Sequence, residues 1–367
     1  GLGDVYKRQV QAFLTIAAGY ELIRDGYPFI EGLQGSLDPK IYAINGNGLL
    51  LEENVFYSPV EKNRHLYMSP AGNEDSSSLR GLVIRGNLFF ESRRGGPNLR
   101  SGALLENNTI IRNDNTRIGG AGGSRDSIQS GTVRHNVFIE GSGTDSSSLS
   151  LVNNDGTEVY GNIWTDATGL ASSTMAVIIS GDTDVHIARN INIYDNIIYG
   201  WASGGSHRAF DISASFTEVE EVRIQNNDFQ MVTGATEIIR HRAYDDNAKL
   251  FEGFAYGDNR YYSPDATGTW FRVIGGGNYM AIEDWRTVSG ETEAQAIQVD
   301  YPDPGRNLRT YSQSLGGNPS TDEFMLETLL QSRHHWRPQY TACAFNNYIR
   351  EGFGKEPSGI CFVRGEI

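Results

Sequence analysis

Leu51–Tyr57, LEENVFY, is the stretch on which the fold turns, because its pattern returns seven times without gaps. The copies are IRGNLFF from Ile84, LENNTII from Leu105, VRHNVFI from Val133, VYGNIWT from Val159, IYDNIIY from Ile193, IQNNDFQ from Ile224 and YGDNRYY from Tyr256. The fourth place is always asparagine: Asn54, Asn87, Asn108, Asn136, Asn162, Asn196, Asn227 and Asn259. Their spacings of 33, 21, 28, 26, 34, 31 and 32 residues suit one turn of a solenoid whose loops vary in length. Three places before each asparagine stands Leu, Ile or Val, or Tyr in the last copy. Two places after it stand Phe56, Phe89, Ile110, Phe138, Trp164, Ile198, Phe229 and Tyr261. The asparagine therefore sits between two short strands, each burying one apolar face. Asparagine tolerates the left-handed backbone of a sharp corner, and its amide bonds to copies above and below, so a stacked ladder is expected. Parallel strands repeat at about 4.8 Å, which makes seven spacings a rod of roughly 34 Å. Segments between copies, such as GSGTDSSSLSLV and GWASGGSHRAFDI, are too rich in Gly and Ser for amphipathic helices, which sets a helical repeat aside. The predicted fold is all-β, a right-handed parallel β-helix solenoid in which each coil is stabilised by its neighbours.

Composition agrees with a folded chain: 38% of the 367 residues are hydrophobic and 21% charged, and the 43 glycines supply turn chemistry many times over. A formal net charge of -14 argues against a general nucleic-acid-binding role, because neutralising phosphates needs a basic surface. An anionic ligand would need a local patch. Arginine outnumbers lysine here and suits bidentate contact with carboxylate or sulfate. No apolar run reaches the roughly 20 residues of a membrane helix, so no membrane partner is expected. P-loop, HExxH and GxSxG motifs do not occur. Cys343 and Cys361 are too few for a disulfide scaffold or a thiolate zinc site; a bond pinning the tail and two independent core residues both stay open. Residues 1–9, GLGDVYKRQ, lack an initiator Met and resemble the spurious ends of open reading frames from metagenomic fragments. The following VQAFLTIAAG reads as an interior strand of an N-terminally truncated chain rather than a secretion signal.

Near the C-terminus the period changes. Ser320 to Glu323 reads as a capping box before FMLETLLQSRHHW, and Pro338 opens a second helix that ends before Gly352. Phe324, Leu329 and Leu330 in the first, and Phe345, Tyr348 and Ile349 in the second, have helical spacing. A short helical C-terminal cap is expected, since open strand edges invite aggregation; whether it covers the end of the rod or its side stays open. The chain thus divides into an N-terminal segment, 1–39, a β-helix, 40–300, and a C-terminal extension with two helices, 301–367. In residues 279–296, YMAIEDWRTVSGETEAQA, an aromatic, a Trp and a Gly-acidic pair are spaced as in the terminal coil of secreted β-helix proteins. Together with the coils, residues 40–300 resemble the pectate-lyase-like parallel β-helix superfamily. That resemblance implies a secreted or extracellular, carbohydrate-active protein. The superfamily includes polysaccharide lyases, glycoside hydrolases, uronate epimerases, phage tailspikes and non-catalytic sugar-binding modules, so it specifies fold better than reaction.

Candidate chemistry lies in the variable strands between the ladder turns. In GSHRAFDIS, residues 205–213, the period that turns Phe210 and Ile212 inward turns Asp211 outward. In EIIRHRAYDD, residues 237–246, an inward Ile239 leaves Arg240 and Arg242 outward. Asp211 is 15 residues past Asn196 and Arg242 is 15 past Asn227, so the two are expected to be neighbours in adjacent coils. One reading is an outward groove holding His207, Arg208, Asp211, Arg240, His241, Arg242 and Tyr244; the plainer one is a surface ion pair. β-Elimination of a uronic-acid polymer needs a cation or metal on the C6 carboxylate, a base for the C5 proton and an acid for the leaving O4. Arg240 or Arg242 is expected to bind the carboxylate, His241 or His207 to take the proton and Tyr244 to donate one, with Arg208 and Asp211 binding substrate. His241 is the weakest member, because strand alternation sends it inward. Asp155, Asp182 and Asp184 form a second cluster that could bind Ca2+, serve a glycosidase, or shape a Gly-rich corner as Asx-turns. Tyr57, His65 and Tyr67 could form a sugar-stacking surface. The double-Asp and later basic motifs of polygalacturonase-like hydrolases are not recognisable. The expectation is a polysaccharide lyase acting on an acidic polymer such as alginate or pectin. The alternatives are a glycoside hydrolase on the same fold and a non-catalytic carbohydrate-binding or structural β-helix.

Overall fold

The computed structural model describes residues 22–23, 30–31, 41–43, 46–57, 65–68, 79–92, 96–100, 102–113, 115–119, 129–141, 147–166, 175–181, 186–201, 208–212, 216–234, 237–242, 249–265, 267–273, 279–330, 336–358 and 361. Three main sheets of nine, ten and ten strands wind through them, each complete coil contributing one strand to each, and a small two-stranded sheet pairs Gly46–Asn47 with Leu79–Arg80. Pairing is parallel throughout except at the end of the third sheet, where Tyr279–Met280 runs antiparallel to Phe271–Val273. This is a parallel β-helix, as the repeat requires.

The two apolar columns read from the repeat are continuous in register. Leu51, Ile84, Leu105, Val133, Val159, Ile193, Ile224 and Tyr256 pair in turn up the first sheet. Phe56, Phe89, Ile110, Phe138, Trp164, Ile198, Phe229 and Tyr261 do the same up the second. All sixteen are buried. Aromatic neighbours in the second column stack face to face, as in Phe138 on Trp164 with centroids 4.6 Å apart.

Between these columns the eight asparagines form the expected ladder. The backbone N–H and side-chain amide of each donate to the Oδ1 of the next at 2.9–3.1 Å. The expectation that asparagine itself turns the corner is corrected. The left-handed residue is the one before it: Glu53, Gly86, Asn107, His135, Gly161, Asp195, Asn226 and Asp258 all have φ between 53° and 65°. Turning one residue early leaves the asparagine free to point its amide into the stack, where its bonds offset a left-handed cost of roughly 1–2 kcal/mol per residue. The ladder ends on a carboxylate. Glu291 Oε1 accepts from the Asn259 backbone at 3.1 Å and side chain at 2.7 Å, and Oε2 accepts from Tyr261 Oη and Trp285 Nε1. Glu291 and Gly290 are the Gly-acidic pair of the terminal-coil pattern.

A helix not foreseen in the sequence, α1 (Ile282–Ser289), closes the C-terminal end of the core with Trp285, which stacks on Phe271 at 4.6 Å. Three further helices follow: α2 (Leu308–Ser314), α3 (Thr321–Leu329) and α4 (Ala342–Gly352). Against the expectation of two helices in the extension, the described residues hold three. α2 has little apolar spacing but begins with a reciprocal capping box between Asn307 and Thr310. Pro338 opens only a 3-10 turn, and Thr341 caps α4, which runs through Gly352. Ser320 caps α3 as expected. Leu330, expected to pack, stands at its exposed C-terminal end.

The helical layer lies along the side of the rod. Phe324, Phe345, Ile349 and Phe353 pack on Leu88, Phe90, Ile111, Val137, Ile139 and Ile163, the outward side chains of the second sheet. That sheet is thus apolar on both faces. Asn346 anchors the layer, accepting from Thr109 Oγ1 at 2.6 Å and donating to the Asn108 carbonyl at 3.1 Å. Cys343 and Cys361 are disulfide-bonded, which resolves the alternatives left open for them.

Candidate functional site

The third sheet carries the most concentrated charge chemistry among the described residues. Its last parallel strands are Arg208–Ile212, Ile239–His241 and Phe271–Val273. Phe210, Ile239 and Phe271 align in one buried column, and Ile212, His241 and Val273 in another. Alternation then sets Asp211, Arg240 and Arg272 side by side on the outer face, with Tyr279 completing the row across the antiparallel pair.

The expected pairing of Asp211 with Arg242 is corrected by two residues. Asp211 is in register with Arg240, while the Arg242 N–H bonds to the Ile212 carbonyl at 2.8 Å. Tyr199 aligns with Gln230 and Phe210 with Ile239, so the connection spans eleven positions in one coil and nine in the next. Counting from the ladder assumed equal connections.

Glu237, not singled out in the sequence, is the hub of the cluster. Its carboxylate accepts from Arg208 Nη1 at 2.9 Å, Arg240 Nε at 2.8 Å, Arg272 Nη1 at 3.0 Å and Tyr279 Oη at 3.1 Å. Arg208 also lies against Asp211, Nε to Oδ2 at 2.7 Å, while Asp211 Oδ1 is buried without a partner. Burial raises Asp211 above the ordinary carboxylate range despite the opposing charges of Arg208, Arg240 and Arg242. Burial works on Glu237 too, but Arg240, Arg272 and Arg208 together hold it below that range. Arg208, Arg240 and Arg272 thus share the carboxylates of Asp211 and Glu237.

Of the residues expected in the groove, the structure brings together Arg208, Asp211, Arg240 and Arg242. His241 is removed from it, and the proposal that it abstracts a proton from a bound polymer is corrected. It is fully buried, with Nε2 2.5 Å from the Leu250 carbonyl and Nδ1 2.9 Å from Tyr256 Oη. The carbonyl can only accept, so Nε2 carries the proton and Nδ1 accepts from the tyrosine. Burial lowers its pKa to about 4, the Leu250 bond opposing, and the ring is neutral near pH 7. His207 and Tyr244 lie outside the described residues, as do Asp182 and Asp184. Asp155 is on the outer face of the first sheet, where it binds Arg189 Nη2 at 2.8 Å and Asn190 Nδ2 at 2.7 Å. Arg189 is thus an ion-pair partner of Asp155, and no group of three or more His, Cys, Asp and Glu among the described residues is arranged to hold a metal. His65 is also corrected: it is buried against Phe56 and Phe89 rather than part of a stacking surface.

Arg272 and Tyr279 were missed, yet Arg272 was within reach. It stands 13 residues past Asn259, as Arg240 stands 13 past Asn227. Extending the count by one coil would have found it. Glu237 had no such signal, because it precedes its strand, and Tyr279 stood out only as the aromatic that opens the terminal-coil pattern. In chemical terms the site is an arginine row on an outer sheet face, held in place by internal carboxylates and suited to a carboxylated ligand. Neither a family model, a curated protein nor a solved structure matches the chain.

Proposed function

We propose that the protein is a polysaccharide lyase of the pectate-lyase-like kind, acting on an acidic, uronic-acid polymer along the outer face of the third sheet. The observation that carries this reading is the row Asp211, Arg240, Arg272, one residue per coil, with Arg242 beside it. A long chain of sugar carboxylates is matched by guanidiniums repeating along the rod axis. In β-elimination Arg240, Arg242 and Arg272 would neutralise the C6 carboxylate, making the C5 proton easier to remove. With His241 enclosed, His207 is the candidate base and Tyr244 the candidate acid. Arg208 acts through Glu237 and Asp211 as a positioning residue. The disulfide between Cys343 and Cys361 supports a secreted or extracellular setting.

A glycoside hydrolase is the second reading, favoured by the two carboxylates. Asp211 is pushed up and Glu237 held down, the divergence expected of an acid and its ionised partner. Incubation with polygalacturonate, alginate and neutral glucans, read by ultraviolet absorbance and by reducing ends, separates the two. New absorbance with new reducing ends is expected on a uronate polymer. Reducing ends without absorbance would favour the hydrolase, and binding without either would exclude both reactions.

A further inference from the structure

Tyr279 is an exposed aromatic side chain, 46% accessible. It is held in place from two sides. Its hydroxyl donates to Glu237 Oε1 at 3.1 Å, and the Arg272 guanidinium lies 5.4 Å from its ring centroid. Tyr279 is also directly opposite Arg272 in the antiparallel pair that ends the third sheet, so the basic row terminates in an oriented ring. Arg272 keeps about a third of its side chain accessible, with Nη1 on Glu237.

We propose that Tyr279 and Arg272 form a subsite for one uronic acid residue at this end of the groove, an inference that rests on the groove reading above. The C–H face of the pyranose ring packs on Tyr279, and its carboxylate binds Arg272. The pairing selects the ligand class. A neutral sugar uses only the ring, and a small inorganic anion uses only the guanidinium. A uronate presents an apolar face and a carboxylate on one ring and uses both. Glu237 positions both side chains without contacting the ligand.

Calorimetric titration with hexamers of galacturonate and mannuronate, and with cellohexaose as the neutral control, tests this. Wild type is expected to bind at least one uronate hexamer and to bind cellohexaose more weakly. Tyr279→Ala should weaken the uronate complex by about tenfold, and Tyr279→Phe, which keeps the ring, should retain most of the affinity. Arg272→Gln should weaken uronate binding and leave cellohexaose unchanged. Thermal melting of each variant reports whether it is folded. If wild type binds uronate hexamers and Tyr279→Ala binds them equally well, the subsite is overturned while the groove reading stands. Equal losses in Tyr279→Phe and Tyr279→Ala overturn the stacking role. Failure of wild type to bind any uronate hexamer overturns the groove reading and the subsite with it.

Discussion

His241 shows how one residue's function depends on which way a strand faces. Arg240 and His241 are adjacent, yet one enters an ion-pair network and the other a shell of Phe251, Phe254 and Tyr256 rings. The folded pKa of about 4 lies below the unfolded value of 6.5, so the unfolded state binds more protons between them. The stabilising contribution of neutral His241 is therefore complete above pH 6.5 and is lost as pH falls towards 4. Its size is about 3 kcal/mol from the separation of the two values. Urea unfolding at pH 7 and pH 4 should show this component in wild type and lack it in His241→Phe. Glu237 makes a different prediction at the same scale. Glu237→Ala leaves Arg208, Arg240 and Arg272 without their shared acceptor, and the loss of stability should be about 3–5 kcal/mol. A much smaller loss in urea unfolding would mean that the arginines find other partners.

Among the elements, the ladder links eight coils through one continuous chain of amide bonds. Every amide points the same way, so its dipoles align along the rod and the donor end meets the Glu291 carboxylate. The carboxylate is raised by burial and drawn back by bonds from Trp285, Asn259 and Tyr261. Asn162→Ala would leave the Asn136 backbone N–H without its acceptor and take one bond from the Val133 carbonyl, while the Asn136 side chain keeps the Leu105 and Arg134 carbonyls. Each orphaned group costs about 1–3 kcal/mol. Urea unfolding should therefore place Asn162→Ala about 1–3 kcal/mol below wild type, more than Ala substitution of an exposed loop residue. The tail of α4 is a second element with a definite test. The Cys343–Cys361 bond closes a loop of 18 residues, and replacing both by Ala should cost about 3 kcal/mol.

For the whole molecule, the helical layer decides which faces of the rod are available. α3 and α4 cover the second sheet, and the third sheet keeps its charged row outside. Phe345→Ala should cost about 3–5 kcal/mol through the cavity it leaves. It should also loosen the layer over Phe90, Ile111 and Val137, so light scattering on warming should detect association earlier than in wild type. A variant that melts and associates as wild type does would show that the layer is not needed to shield that sheet.

The repeat was legible because every coil solves the same local problem: an apolar residue three before the asparagine, another two after, and an amide between them. Nearest-neighbour stacking makes that pattern sufficient for the columns, the ladder and the solenoid, with no knowledge of distant contacts. The site was only partly legible. Alternation correctly turned Asp211 and Arg240 outward and His241 inward, because the two-residue strand period is local. Which charges meet was decided in three dimensions. A connection two residues shorter moved Arg240 into the place expected of Arg242, and Glu237 gathered arginines from three strands that are remote in sequence. The same holds for the helices. Their spacing was readable, but their place along the rod depended on the apolar outer face of the second sheet, which exists only once the coils have stacked.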